Sequence, residues 1–187
     1  MNVLVVVDMQ NDFITGPLGT PEAQAIVPKV CELIRSCSGR GTPDEDEIYY
    51  TMDTHDMFYL DSHEGKRLPI EHCIHKSDGW RICPDVEKAL MEKIQTDYVV
   101  DEFIKEGFGS TALAQRIREG IDYKNIKYID ICGVCTDICV ISNALMLRSF
   151  LPETNIRVMA YACAGTTPEM HQKALDVMRS CHIEVIK

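Results

Sequence analysis

At 187 residues the chain suits one domain spanning residues 1–187, large enough to bury roughly 70% of its unfolded surface around a single core. Its 29 Asp and Glu against 19 Lys and Arg give a formal charge of −10, which argues against nucleic acid and anionic membranes as partners. Nine cysteines, an odd number without framework spacing, point to reduced thiols; with no apolar run near the roughly 20 residues of a membrane span and Met1 leading directly into a strand pattern, the expectation is a soluble, cytoplasmic protein.

Asn2 to Val7 is a continuous β-branched run, the pattern of a strand covered on both faces, and it ends on Asp8. A helix is expected over Ala23 to Ser36, where Ile26, Val27, Val30, Leu33 and Ile34 form one apolar stripe. The acidic Pro43 to Glu47 run reads as a solvated loop before a strand at Ile48 to Met52. Asp53 to Cys83 is a long irregular stretch rich in His, Asp and Gly, and a loop of that length in a compact domain usually has a function. Then come a helix at Val86 to Ile94, a strand at Tyr98 to Glu102, a helix at Ser110 to Glu119 with Ser110 as N-cap, and a strand at Ile126 to Cys132. After a helix that stays apolar through Leu147, the pattern gives a strand at Ile156 to Tyr161, a helix at Pro168 to Ser180 and a last strand at Ile183 to Ile186. Six apolar strands alternating with helices predict an α/β fold, a three-layer, doubly wound parallel sheet with helices on both faces. There is no internal repeat and no linker.

Tyr128 to Asn143 carries the strongest chemical signal. A buried strand pattern ends at Gly133 and a helix opens behind it, which sets Thr136 as the expected N-cap and Cys139 in the first helical turn. A thiol there faces unpaired N–H groups and the positive end of the helix dipole, an environment that favours the thiolate. The plainer alternative is an inert core cysteine, since cysteine is among the most buried residue types. Cys132 and Cys135 also form a Cys-x-x-Cys pair suggestive of redox or zinc chemistry. Cys132 still belongs to the strand, however, and no second pair supplies the remaining ligands of a structural zinc site.

Ligands of open α/β sheets bind beyond the carboxyl ends of the strands, near the switch in strand order. Asp8 and Phe13 follow the first strand, Asp53 and His55 the second, Lys105 and Phe108 the third, and Cys139 the fourth. Each has an ordinary reading: Asp8 as a loop cap, Lys105 as a surface lysine, both phenylalanines as core. Their coincidence on one sheet edge favours function, because a nucleophile, a base and a charge partner must converge.

The segments Asp8-Met-Gln-Asn-Asp-Phe13, Lys105-Glu-Gly-Phe-Gly-Ser110 and Gly133-Val-Cys-Thr-Asp-Ile-Cys-Val140, in this order and spacing, resemble the isochorismatase-like cysteine hydrolases, most of all their nicotinamidase/pyrazinamidase branch. The resemblance covers nearly the whole chain. It implies a catalytic triad of Asp8, Lys105 and Cys139, a sheet of order 3-2-1-4-5-6 and a cis peptide at Val134-Cys135. It also implies an oxyanion hole from the backbone N–H groups of Cys135 and Cys139, substrate contacts at Phe13, Phe108 and Val134, and a homo-oligomer. Asp53, His55 and His72 match that branch's metal ligands, with Glu64 as a fourth and His63 as its competitor. Such ligands suit one divalent transition metal, Zn²⁺ first, then Fe²⁺ or Mn²⁺. Isochorismatases proper lack this set. The implied reaction converts a small amide, nicotinamide, and water to nicotinate and ammonia through a Cys139 thioester. The alternatives are another hydrolase of the family acting on a different small amide or an enol ether, and a noncatalytic or redox thiol protein. Cys135 departs from the pattern, since the family commonly has a small alanine there.

Overall fold

The computed structural model describes residues 1–38, 46–96, 98–120 and 123–187. Strands β1 (Asn2–Val7), β2 (Glu47–Asp53), β3 (Val100–Lys105), β4 (Tyr128–Val134), β5 (Ile156–Ala164) and β6 (Glu184–Ile186) form one all-parallel sheet in the order β3-β2-β1-β4-β5-β6. The helices are α1 (Asn11–Ile14), α2 (Pro21–Ser36), α3 (Pro84–Ile94), α4 (Thr111–Gly120), α5 (Ile141–Phe150) and α6 (Pro168–Ser180). One helical layer is built by α2 packing on α3, and another by α5 packing on α4 and α6. The continuous valines of β1 follow from this sandwich: Val3, Val5, Val6 and Val7 are all buried, and each contributes about 1.5–3 kcal/mol by leaving water. No helix of the described residues is long and apolar enough to cross a membrane.

Several boundaries differ from the sequence pattern, for physical reasons. Helix α2 begins at Pro21, because Thr20 Oγ1 accepts the Ala23 N–H at 3.0 Å and proline is suited to the first helical position. The third strand runs from Val100 to Lys105 instead of from Tyr98 to Glu102. Tyr98 belongs to the approach, its ring under Lys93 Nζ and its hydroxyl donating to the Cys37 carbonyl at 3.1 Å. Strand β4 begins and ends two residues later than expected, and β5 continues to Ala164 because Gly133 and Val134 pair with Cys163 and Ala164 after a local irregularity. The acidic loop expected at Pro43 to Glu47 lies outside the described residues except for its last two. Of these, Asp46 is buried, accepting the Asn2 and Ser38 N–H groups at 2.8 and 3.0 Å, and Glu47 opens β2.

The sheet reverses direction of winding between β1 and β4, and their carboxyl ends open the crevice where the chemistry gathers. The long connection from β2 to α3 folds over this crevice with one short 3-10 turn, Tyr59–Asp61. It is tied to the segment after β1 by Asn11 N–H to Arg81 O (2.9 Å), Asp12 N–H to Gly79 O (3.0 Å) and Cys73 N–H to the Asp12 carboxylate (2.7 Å).

Candidate active site

Strand register delivers the central groups. In the β2–β3 ladder Asp53 pairs with Lys105, so the last residues of two neighbouring strands present their side chains side by side. Asp8 is the first residue past β1; its φ of 49° is a left-handed conformation uncommon for a non-glycine residue, of the kind found where a site over-determines the backbone. Opposite it, Gly133 at the end of β4 has a φ of 115°, and a Cβ there would stand 2.1 Å from the Val7 carbonyl oxygen, so only glycine lets the two strands meet.

Lys105 connects the cluster. Its Nζ lies 2.8 Å from Asp8 Oδ2, 3.3 Å from Asp53 Oδ1 and 3.5 Å from Cys139 Sγ. Expected just past a strand end, Lys105 is instead the last strand residue, with its side chain almost wholly enclosed. Asp8 is fully buried and accepts the Thr51 hydroxyl at 2.7 Å.

Cys139 sits in a turn of π-helical type, Thr136–Val140, joining β4 to α5, and the Val134-Cys135 peptide is cis, as the resemblance implies. The expected N-cap is corrected here. Cys135 occupies the capping position with extended backbone, while the buried Thr136 hydroxyl lies 2.8 Å from His171 Nδ1. The thiolate expectation is corrected as well. Complete burial, followed by the Asp8 charge, pushes the Cys139 thiol well above its ordinary range, and Lys105 offsets only part of this. Burial and the neighbouring carboxylate thus oppose the thiolate that the start of the helix favours. Burial also raises the Asp8 carboxyl, against the pull of Lys105. Lys105 stays charged: burial works against it, but Asp8, Cys139 and Asp53 together raise its pKa.

Asp53 faces two ways. Its Oδ1 meets Lys105, and its Oδ2 lies 3.0 Å from His55 Nε2 and 3.4 Å from His72 Nε2. Despite burial, hydrogen bonds from both imidazoles and the Lys105 charge hold its carboxyl well below the usual range. Ligand atoms of Asp53, His55 and His72 all fall within 4.8 Å of one another, and Glu64 Oε1 approaches His72 Nε2 at 3.8 Å. His72 Nδ1 lies 2.9 Å from the Ile70 carbonyl, to which it donates, so its Nε2 faces two carboxylates, giving them a proton when no ion is there and a lone pair to an ion that takes that proton's place. That arrangement of electron pairs fits a cation, and one carboxylate with two imidazoles fits a borderline transition metal. His63 does not join the set; its Nε2 accepts from Arg67 Nη1 at 2.6 Å on the exposed side.

A cavity of about 310 Å³ opens onto the thiol, walled by Phe13, Leu68, Phe108, Val134, Cys135 and Ile138, with Asp53, Glu64 and His72 to one side. Phe13 is buried and Phe108 half exposed at the rim. All nine cysteines are free, and Cys132 is fully buried inside β4, away from the cavity that Cys135 lines.

Two supporting residues escaped the sequence reading. Gln10, fully buried, grips the backbone of Asp53 from both sides: its Oε1 accepts the Asp53 N–H and its Nε2 donates to the Asp53 carbonyl, both at 2.8 Å. Tyr59 sets its ring 4.6 Å from His55, tilted to it, and 4.9 Å from His72, edge to face, while donating its hydroxyl to Leu68 O at 2.9 Å. Gln10 lies within the Asp8–Phe13 motif, a signal available in the sequence; Tyr59 left none in its irregular stretch.

Strand order and crevice together define the isochorismatase-like class of α/β folds. The chain belongs to the isochorismatase family, whose isochorismatase domain matches residues 2–187. Among named relatives, a nicotinamidase of Schizosaccharomyces pombe is 26% identical over 212 residues, covering 98% of this chain and 91% of the relative. The crystal structure of nicotinamidase PncA from Bacillus subtilis superposes with a TM-score of 0.80 at 25% identity, covering 100% and 99% of the two chains. The pyrazinamidase of Pyrococcus horikoshii, crystallised in complex with zinc, matches with a TM-score of 0.76 at 28% identity over 100% and 98%.

Proposed function

We propose that this isochorismatase-family hydrolase is a nicotinamidase, converting nicotinamide and water to nicotinate and ammonia through a thioester on Cys139. The observation that carries the reading is the single ammonium of Lys105 touching Asp8, Cys139 and Asp53 at once, joining a nucleophile and base to a carboxylate–imidazole set. Relatives named as nicotinamidases and pyrazinamidases support the substrate class.

The residues divide the work as follows. Asp8 accepts the Cys139 proton as sulfur attacks the amide carbon; a carboxyl with a raised pKa is matched to that transfer, and Lys105 beside both groups balances the charge as it moves. Negative charge developing on the amide oxygen is received by the backbone N–H groups of Cys135 and Cys139. Asp8 then gives its proton to the departing ammonia. In the second half Asp8 takes a proton from water, whose oxygen attacks the thioester, and the proton returns to sulfur as nicotinate leaves. The ring lies between Phe13 and Phe108, near Val134. Asp53, His55 and His72, with Glu64 alongside, would hold one divalent transition ion, Zn²⁺ by donor type, which when bound supplies a Lewis-acid contact for a ring nitrogen lone pair.

Ammonia release from nicotinamide and pyrazinamide, compared with N-carbamoyl amines and simple aliphatic amides, tests the proposal. Turnover of the two aromatic amides is expected. An enzyme of measured metal content that ignores both and hydrolyses another amide would replace the substrate while leaving the family intact.

A further inference from the structure

We infer that His171 of α6 is a positioning residue for the nucleophile turn, acting through the Thr136 hydroxyl, a role that rests on Cys139 being the nucleophile. The turn closes on itself through the Cys135 carbonyl, which accepts the Ile138 and Val140 N–H groups at 3.0 Å each. Those bonds set its internal shape but leave its orientation towards Lys105 to outside contacts.

Asn143 of α5 ties the Cys139 carbonyl (2.8 Å) to the Ser110 N–H (3.0 Å), and two consecutive residues supply the contacts towards β5 and α6. Thr136 opens the turn, is fully buried, and places its Oγ1 2.8 Å from His171 Nδ1. Asp137, the next residue, is held by the segment before α6: Oδ1 accepts the Thr166 N–H at 2.8 Å and Oδ2 accepts the Thr166 hydroxyl at 2.6 Å. Gly165 makes this close fit feasible, since a Cβ there would stand 2.8 Å from Asp137 Oδ1 and 2.9 Å from both Cα and Cβ of His171. One anchor would let the turn swivel; two anchors at separate points on the unit formed by β5 and α6 define its angle. Thr136 and Cys139 lie in the same turn, and Cys139 Sγ rests 3.5 Å from Lys105 Nζ.

The chemistry of the bond is consistent with a fixed link. Burial pushes the His171 pKa below the ordinary histidine value, against the raising influence of Asp137, and the neutral ring bonds the Thr136 hydroxyl through Nδ1, as acceptor in one tautomer and as donor in the other. His171 is not among the residues lining the cavity, so it acts through the turn and not on the substrate.

A double-mutant cycle on turnover of nicotinamide tests the link. His171→Ala and Thr136→Val should each lower kcat about tenfold with KM within about threefold, because they misplace the thiol without removing a substrate contact. The double variant should be no slower than either single within about threefold, since both cut the same bond. His171→Asn, whose amide can take the place of Nδ1 as acceptor or donor, should recover most of the kcat. Thr136→Val keeps the side-chain shape and so retains a readout even where His171→Ala loosens α6. Independent effects that multiply to about a hundredfold, or an Asn variant as slow as the Ala variant, would overturn the clamp while Cys139→Ala remains inactive. Turnover surviving Cys139→Ala would instead remove the nucleophile reading, and the positioning role with it.

Discussion

At the scale of single residues, Lys105 is the group on which the others depend. Three potential anions, Asp8, Asp53 and Cys139, lie within 3.5 Å of its Nζ, all of them buried. Removing one partner of such a buried pair leaves uncompensated charge, so Lys105→Met is expected to cost about 3–5 kcal/mol in urea denaturation. It should also lower kcat/KM for nicotinamide by at least about 100-fold. Near-normal turnover would take Lys105 out of the proposed triad. In the proposed mechanism the acid side of the pH profile belongs to Asp8. Its carboxyl is raised above the ordinary 3.8, so on acidification it takes up a proton earlier than an exposed aspartate would. Only the ionised form can accept the thiol proton, so kcat/KM should fall as pH drops through a midpoint above 3.8, with metal content measured at each point. A limb at or below 3.8 would exclude Asp8 as the base.

At the scale of one element, the strand, turn and helix from Tyr128 to Phe150 separate two neighbouring thiols. Both line the cavity, but Cys139 adjoins Lys105, while the part proposed for Cys135 uses its backbone, which any small residue preserves. Cys135→Ala should therefore keep most activity and Cys139→Ala lose it, and mass spectrometry after iodoacetamide should find labelling of Cys139 tracking the loss of ammonia release. First labelling at Cys135 with activity intact would reverse the assignment. The junction itself was legible in sequence, because an apolar run closing on Gly133 and reopening as a helix has few other readings. Its capping was not. The hydroxyl that composition assigns to an N-cap is taken by His171, 35 residues away, and no local pattern reports such a partner. The expected third strand, Tyr98 to Glu102, stopped short of Phe103 to Lys105; an edge strand with one solvated side carries Asp101 and Glu102 in its middle. The carboxylate and imidazoles of the cation set were visible as residue types past a strand end and through family resemblance. The Gln10 and Tyr59 contacts that aim them join residues up to 43 positions apart, beyond the reach of periodicity.

At the scale of the whole molecule, the cation set links two distant parts of the chain: the end of β2 with His55 just past it, and His72 far along the loop. An ion held there ties the long connection to the sheet, so it should stabilise the fold as any ligand of the native state does. The purified protein is expected to carry about one transition metal per chain, to melt lower after chelation, and to bind less metal as His55→Ala. Metal content at background after gentle purification, with no shift in melting on adding Zn²⁺, would remove the ion from the proposal. The strand order has its own consequence. Because β3 is the outermost strand, the lysine that holds the charge cluster together hangs from a ribbon hydrogen-bonded to a neighbouring strand along only one side. Peeling that ribbon away costs less than melting the sheet. In a urea titration, turnover should fade at lower concentrations than the far-ultraviolet dichroism does, a protein silenced before it comes apart; coincident curves would mean that β3 opens only when everything opens.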